Sequence, residues 1–243
     1  MKPSLLKRVL LAGAVACFAS IASAGISLDG TRVVFSAPAK EASVIVKNRA
    51  ADDVMVQSWV EPVHGASETD VPFAITPSLV RLGGKKQQVL RVLYQGQGLP
   101  TDKESLFWLV VQEIPQKAKS DNVLQIALRQ RVKLFYRPAN LSDTAASAAE
   151  SLQWKLVEQG GKTALSVFNP SAYHVSFSGR TVKLHTGKET GVYTAAMEML
   201  APKESRLVAI KSAQVLKARA VTLQFDSIND YGGLDRVVKK LSR

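Results

Sequence analysis

The chain has 243 residues, 32 basic against 20 acidic, a net charge of +12 and one cysteine, Cys17. A single cysteine excludes a disulfide framework, so stability has to come from a packed core. The basic excess attracts anionic partners, but no aromatic-basic interleaving points to nucleic acid, and a solvated surface accounts for the charge equally well.

In chain order the first element is a leader. Lys2, Lys7 and Arg8 precede an apolar run over residues 9–21, too short for a comfortable bilayer span. Ala22-Ser23-Ala24 has the small-x-small form of a cleavage site. Residues 1–24 therefore read as a secretory signal with the mature start at Gly25; an uncleaved anchor is the alternative. Cleavage removes Cys17 and leaves 219 residues, with 29 basic against 20 acidic side chains. That length suits one large domain or two of about 100 residues. No later segment is long and apolar enough for stable membrane insertion.

The body is written in strands. Residues 31–35, 42–46, 54–60, 88–94 and 106–111 are short β-branched or aromatic runs, separated by turn material such as Asp52-Asp53, Gly83-Gly84 and the stretch 96–100. Frequent turn signals without a sustained helical period argue an all-β sandwich. Residues 122–138, NVLQIALRQRVKLFYRP, are different in scale. At period two Leu124, Ile126, Leu128, Val132, Leu134 and Tyr136 share one face, with Gln130 the only interruption, and Val123, Gln125, Ala127, Arg129, Arg131, Lys133 and Phe135 share the other, which predicts a strand from 122 to 136. At about 3.3 Å per residue it would run roughly 50 Å, well beyond the usual 17–20 Å. The small, Ala-rich stretch 139–149 reads as a linker, with a short helix as the competing reading. Strand patterns resume at 152–157, 164–168, 174–178, 205–210 and 220–225. The domains are thus 25–138, which carries the long strand, and 150–243.

Catalytic and metal signatures are missing. His64, His174 and His185 lie far apart and belong to no metal-binding pattern, and there is no nucleophile elbow or phosphate loop. Neither an enzyme nor a cofactor is expected. Trp59 and Phe107 read as core residues, and His174 as a packed or surface ring.

Several segments in fixed order carry a resemblance. They are 27–35 (SLDGTRVVF), 57–61 (QSWVE), 75–77 (ITP), 104–108 (ESLFW), 113–115 (EIP), the long strand, 169–173 (NPSAY) and 228–233 (INDYGG). Together they make nearly all of residues 25–233 similar to the periplasmic chaperones of pilus assembly, the PapD-like family. The resemblance implies two immunoglobulin-like β-sandwiches set in an L or boomerang, located in the periplasm and binding newly exported pilus subunits. A subunit of this kind lacks its last strand, and the chaperone lends its own. Leu124, Ile126 and Leu128 look like the inserted side chains, although the alternation alone fits burial in their own core equally well. Arg32 and Lys133 look like the pair that grips the subunit's C-terminal carboxylate. Lys133 has the opposite parity to the comb, so a twist or a domain corner has to reconcile them.

Glu104, Arg137 and Asp230 match an interdomain salt-bridge network, against the alternative of three unrelated surface charges. Met55, Gln57, Thr76, Pro77 and Ile114 match positions facing the outer-membrane usher; side-chain packing would explain Met55 or Ile114 as well. The short segment 113–124 resembles the short-loop branch of the family. Residues 234–243 could be a last strand with a frayed tail. An exposed donor edge would also suit capping by dimerisation. The alternative to a chaperone is an exported two-domain adhesion or ligand-binding module whose long strand only builds its own sheet.

Overall fold

The structure, a computed structural model, describes residues 25–63, 71–116, 126–186, 192–211 and 220–242. The first domain comprises β1 (Ile26–Leu28), β2 (Arg32–Ser36), β3 (Glu41–Asn48), β4 (Val54–Pro62), β5 (Phe73–Thr76), β6 (Leu79–Leu82), β7 (Gln87–Tyr94), β8 (Ser105–Ile114) and β9 (Arg129–Arg137). They form two sheets, β1-β3-β7-β5 and β2-β9-β8-β4-β6. Alternation places one face of each sheet inside: on β4, Val54, Val56 and Ser58 are buried while Met55, Gln57 and Trp59 point the other way. Between the sheets lie Phe35, Val46, Leu90, Val92, Leu109 and Leu134. At one end of this core Phe35, Phe73, Tyr94 and Tyr136 meet with ring centroids 4.4–6.2 Å apart, within the range that favours aromatic pairs.

Trp59 thus corrects its expected core position. Its indole Nε1–H donates to Glu61 Oε1 at 2.9 Å on the outer face, and Arg129 stacks over its ring at 4.8 Å. Phe107 does lie in the core.

The second domain comprises β10 (Gln153–Gln159), β11 (Lys162–Phe168), β12 (Thr181–His185), β13 (Val192–Ala196), β14 (Ser205–Lys211), β15 (Ala220–Ile228) and β16 (Leu234–Ser242). Their ladder order is β10-β11-β14-β13-β12-β15-β16, with β14 joining both halves. The strands wrap a second core that includes Leu165, Leu184, Met197, Leu200, Leu223 and Phe225. Residues 174–178, expected as a strand, make only isolated bridges, Val175 to Leu200 and Phe177 to Ser227. Val175, Ser176 and Phe177 are all buried, so both sides of this segment are covered and it cannot serve as a half-exposed strand. The final strand β16 is formed, pairing along its length with β15.

The stretch expected as a linker holds helix α1 (Ala145–Ser151). Thr144 caps it: the Ser147 amide donates to Thr144 Oγ1 at 3.2 Å, and Ala148 and Ala149 are buried in the second core. The small side chains that suggested flexibility are what lets the helix pack closely. Thr144→Ala is expected to lower unfolding stability by about 0.5–2 kcal/mol, read from denaturant melts of the second domain's Trp154.

The long strand is shorter than expected. It is regular only from Arg129, and residues 126–128 precede it outside the ladder; Leu124 lies outside the described residues. A physical stop is visible in the partner strand. Glu113 N–H donates to Leu128 O at 2.8 Å, and the next donor on that alternating edge would be residue 115, a proline without an N–H.

Candidate functional site

Strand β9 is central to its sheet at one end and marginal at the other. It pairs with β8 from Gln112↔Arg129 to Ser105↔Tyr136, and in parallel with β2 only from Arg32↔Lys133 to Ser36↔Arg137. Among the described residues no strand pairs with 129–132 on the β2 side. The parity that turns the Leu128 carbonyl toward β8 turns the backbone groups of Arg129 and Arg131 toward that open edge.

The even positions record where the core ends. Leu134 is 0 % exposed, Tyr136 is 8 %, Val132 is partly buried against the core, Leu128 is half-buried and Ile126 is 66 % exposed. Ile126 and Leu128 therefore continue the parity of the domain's own core past the point where the domain covers it. Apolar side chains beside unpaired backbone are what an incomplete sandwich would accept.

The odd positions resolve the parity problem of Lys133. At the far end of β9 the second domain covers this face: Phe135 is buried, its ring centroid 5.7 Å from that of His174. Lys133 Nζ donates to Ser176 Oγ at 3.1 Å, and Arg32 Nη1 donates to Ile228 O at 2.9 Å. Arg32 and Lys133 are thus neighbours on adjacent strands, both facing the second domain. Arg32 Nε is buried and has no hydrogen-bond partner within the described chain. Burial lowers the pKa of Arg32. Burial, together with repulsion from Arg32 and Arg180, pulls Lys133 down to about 8. Two cations forced together and partly desolvated form a site that an anion would relieve. Arg32 also lies in the wall of an adjoining cleft of about 180 Å³, with Phe135, Arg137, His174, Ile228 and Tyr231; Lys133 is not in that wall.

The three expected interdomain charges do meet. Arg137 Nε donates to Glu104 Oε1 at 2.7 Å, and Nη1 and Nη2 donate to Asp230 Oδ2 and Oδ1 at 2.6 and 2.7 Å. This fork-on-carboxylate geometry fixes direction as well as distance. Burial alone would lower the Arg137 pKa, but the two carboxylates hold it above the ordinary arginine range.

A fourth member, His174, was not legible as such. Its backbone N–H donates to Glu104 Oε2 at 2.8 Å, and Nδ1 lies 2.7 Å from the same oxygen. Glu104 is 3 % exposed. Its carboxylate therefore ties the residue just before β8 of the first domain to the 174–178 segment of the second. The cue was the neighbouring segment 169–173: Asn169 Nδ2 donates to Tyr173 O at 2.8 Å and presets the turn into His174.

On the outer face of β8-β4-β6, Met55 lies opposite Ile114, and Gln57 opposite Leu79. Ile114 is 39 % and Leu79 55 % exposed, with Thr76 and Pro77 at the adjoining corner. Met55, Gln57 and Ile114 therefore share one outer face with the exposed Leu79, which sequence reasoning did not name, whereas Thr76 ends β5 of the other sheet.

Residues 25–142 match the family model "Pili and flagellar-assembly chaperone, PapD N-terminal domain", and residues 147–238 match "Pili assembly chaperone PapD, C-terminal domain". The chain belongs to this family of pilus-assembly chaperones. It is 34 % identical to the probable fimbrial chaperone YadV of Escherichia coli K12, with 89 % of each chain covered. It is also 34 % identical to the chaperone protein FimB/FhaD of Bordetella pertussis, covering 92 % of this chain and 91 % of that one. Among solved structures, the YadV chaperone superposes with a TM-score of 0.75 at 32 % identity, covering 90 % of this chain and all of the other. The Salmonella enterica SafA pilin in complex with the SafB chaperone gives 0.70 at 25 % identity, covering 90 % of this chain and 96 % of that one.

Proposed function

We propose that this protein holds pilus subunits by lending them the open edge of β9, with Ile126 and Leu128 entering the subunit core and Leu124 continuing the series. The subunit's C-terminal carboxylate binds between Arg32 and Lys133. The observation that carries this reading is the burial gradient along one parity of β9 and the residues before it, from 0 % at Leu134 to 66 % at Ile126, beside an edge with no strand partner among the described residues. Burying each exposed side chain contributes roughly 1.5–3 kcal/mol before ordering costs. Backbone pairing adds affinity with little sequence demand, and the two cations fix where the subunit chain ends and so set the register.

In this reading the protein works in the periplasm without turnover or a nucleotide. It delivers its cargo to the outer-membrane usher through a surface that includes Met55, Gln57, Thr76, Pro77, Leu79 and Ile114. No helix among the described residues is long and apolar enough to cross a membrane. Without cargo, the same edge is open to a second copy of the chain, so self-association competes with subunit binding. Co-expression with a pilus subunit tests the reading. A soluble one-to-one complex is expected; a subunit that aggregates equally with and without this protein would contradict it.

The anchor has a pH signature. Lys133 in the free protein loses its proton near pH 8, whereas a bound carboxylate favours the charged form. Binding therefore takes up a proton above that value. Subunit affinity is expected to be level below about pH 7 and to fall by up to tenfold per pH unit above the Lys133 pKa, as measured by calorimetry at several pH values. Lys133→Arg should remove most of this dependence, since the guanidinium stays charged.

A further inference from the structure

Glu113 is 6 % exposed, and among the described residues no cation lies within 4 Å of its carboxylate. Its polar partner is the backbone of β1: Ile26 N–H donates to Oε2 at 3.2 Å. The carboxylate also lies against the preceding residue. A side chain at Gly25 would place its Cβ 1.8 Å from Oε2 and 2.9 Å from Oε1, so the carboxylate would have to move for any residue larger than glycine. The Gly25 nitrogen, one bond from that α-carbon, is therefore within about 5 Å of Oε2. In the unprocessed chain this nitrogen is a neutral amide. Cleavage after Ala24 would turn it into an ammonium.

We infer that the α-ammonium released at Gly25 is the counter-ion of Glu113, so that removal of residues 1–24 completes an ion pair at the root of the donor segment. The inference rests on the reading of 1–24 as a cleaved leader. The pair is placed to matter for function. Glu113 N–H holds the Leu128 carbonyl at 2.8 Å, Gln130 Nε2 donates to Ile26 O at 2.7 Å, and Arg49 N–H donates to Gly25 O at 2.8 Å. One residue thus clamps the new N-terminus with its side chain and the start of β9's paired region with its backbone. A precursor lacks the charge, so its donor segment is less firmly rooted than that of the processed protein.

The test uses the exported full-length gene product. Intact mass first establishes that the mature chain starts at Gly25; another start would overturn the cleavage reading, and with it the inference. The Gly25 amine is then titrated by NMR, or by its reactivity toward an amine-selective reagent across pH. Its pKa is expected about one unit or more above the usual 7.7–8.0, with roughly fivefold or more lower reactivity at pH 8 than in Glu113→Gln. A second variant carries one alanine inserted before Gly25 and keeps Glu113. Its displaced amine is expected to titrate at the ordinary value, which preserves the comparison if Glu113→Gln does not fold. A Gly25 amine that titrates ordinarily in the processed wild-type protein would overturn the ion pair while leaving the cleavage reading intact.

Discussion

Replacing Arg32 or Lys133 by alanine is expected to weaken subunit binding on the order of a hundredfold or more, because truncating one member of a desolvated charge cluster costs about 2–5 kcal/mol. The two substitutions should differ in the free protein. Arg32 holds the Ile228 carbonyl, so its loss removes an interdomain hydrogen bond. Lys133 is kept partly desolvated beside Arg32, and its folded-state pKa of about 8 lies below the ordinary lysine value. Folding therefore disfavours its proton. The stability cost is fully present below about pH 8 and disappears as pH rises past about 10.4, where the unfolded lysine is neutral too. Lys133→Met should consequently raise the melting temperature at pH 7 while abolishing tight subunit binding, a gain of stability at the expense of function. A Lys133→Met protein that binds subunits like wild type would remove the anchor from the account. Surface plasmon resonance against a subunit, alongside thermal melts at pH 7 and pH 10.5, gives both readouts.

The second large effect concerns the domain junction. Arg137→Ala leaves the Glu104 carboxylate, whose side chain is 1 % exposed, without its guanidinium, and His174 alone has to satisfy it. Removing one partner of a buried pair costs about 3–5 kcal/mol. At 2–4 °C per kcal/mol for a chain of this size, an apparent melting loss on the order of 10 °C is expected. Asp230→Ala should behave differently. Asp230 is 35 % exposed at its side chain, and its loss leaves the Arg137–Glu104–His174 contacts in place. The melting change should be small, whereas the relative orientation of the domains, followed by small-angle scattering or residual dipolar couplings, should broaden. Equal melting losses in the two variants would show that the network acts as a surface pair and not as a buried hinge.

How much of this was legible depended on whether a property is local. Alternation along 122–136 is local, and it assigned both the core-facing parity of Leu134 and Tyr136 and its continuation in Ile126 and Leu128. The same alternation on β4 would have turned Trp59 outward, had its neighbours Val56 and Ser58 outweighed the bias toward burying a tryptophan. The stop at Arg129 was less visible, because it depends on which residue of β8 lies opposite, and Pro115 matters only once the register is known. The cationic pair rested on resemblance. Arg32 and Lys133 are 101 positions apart, and only the parallel β2-β9 register makes them neighbours. His174 was missed because its role comes from a carboxylate in the other domain.

Amide hydrogen exchange across residues 126–132 tests most directly whether the open edge of β9 closes a subunit's fold. In the free protein the Arg129 and Arg131 amides, which face no strand among the described residues, should exchange within seconds to minutes at neutral pH. In a purified one-to-one complex they should be protected at least a hundredfold, with Ile126 and Leu128 side-chain signals shifting as they become buried. A tight complex in which these amides exchange at the free rate would contradict the account.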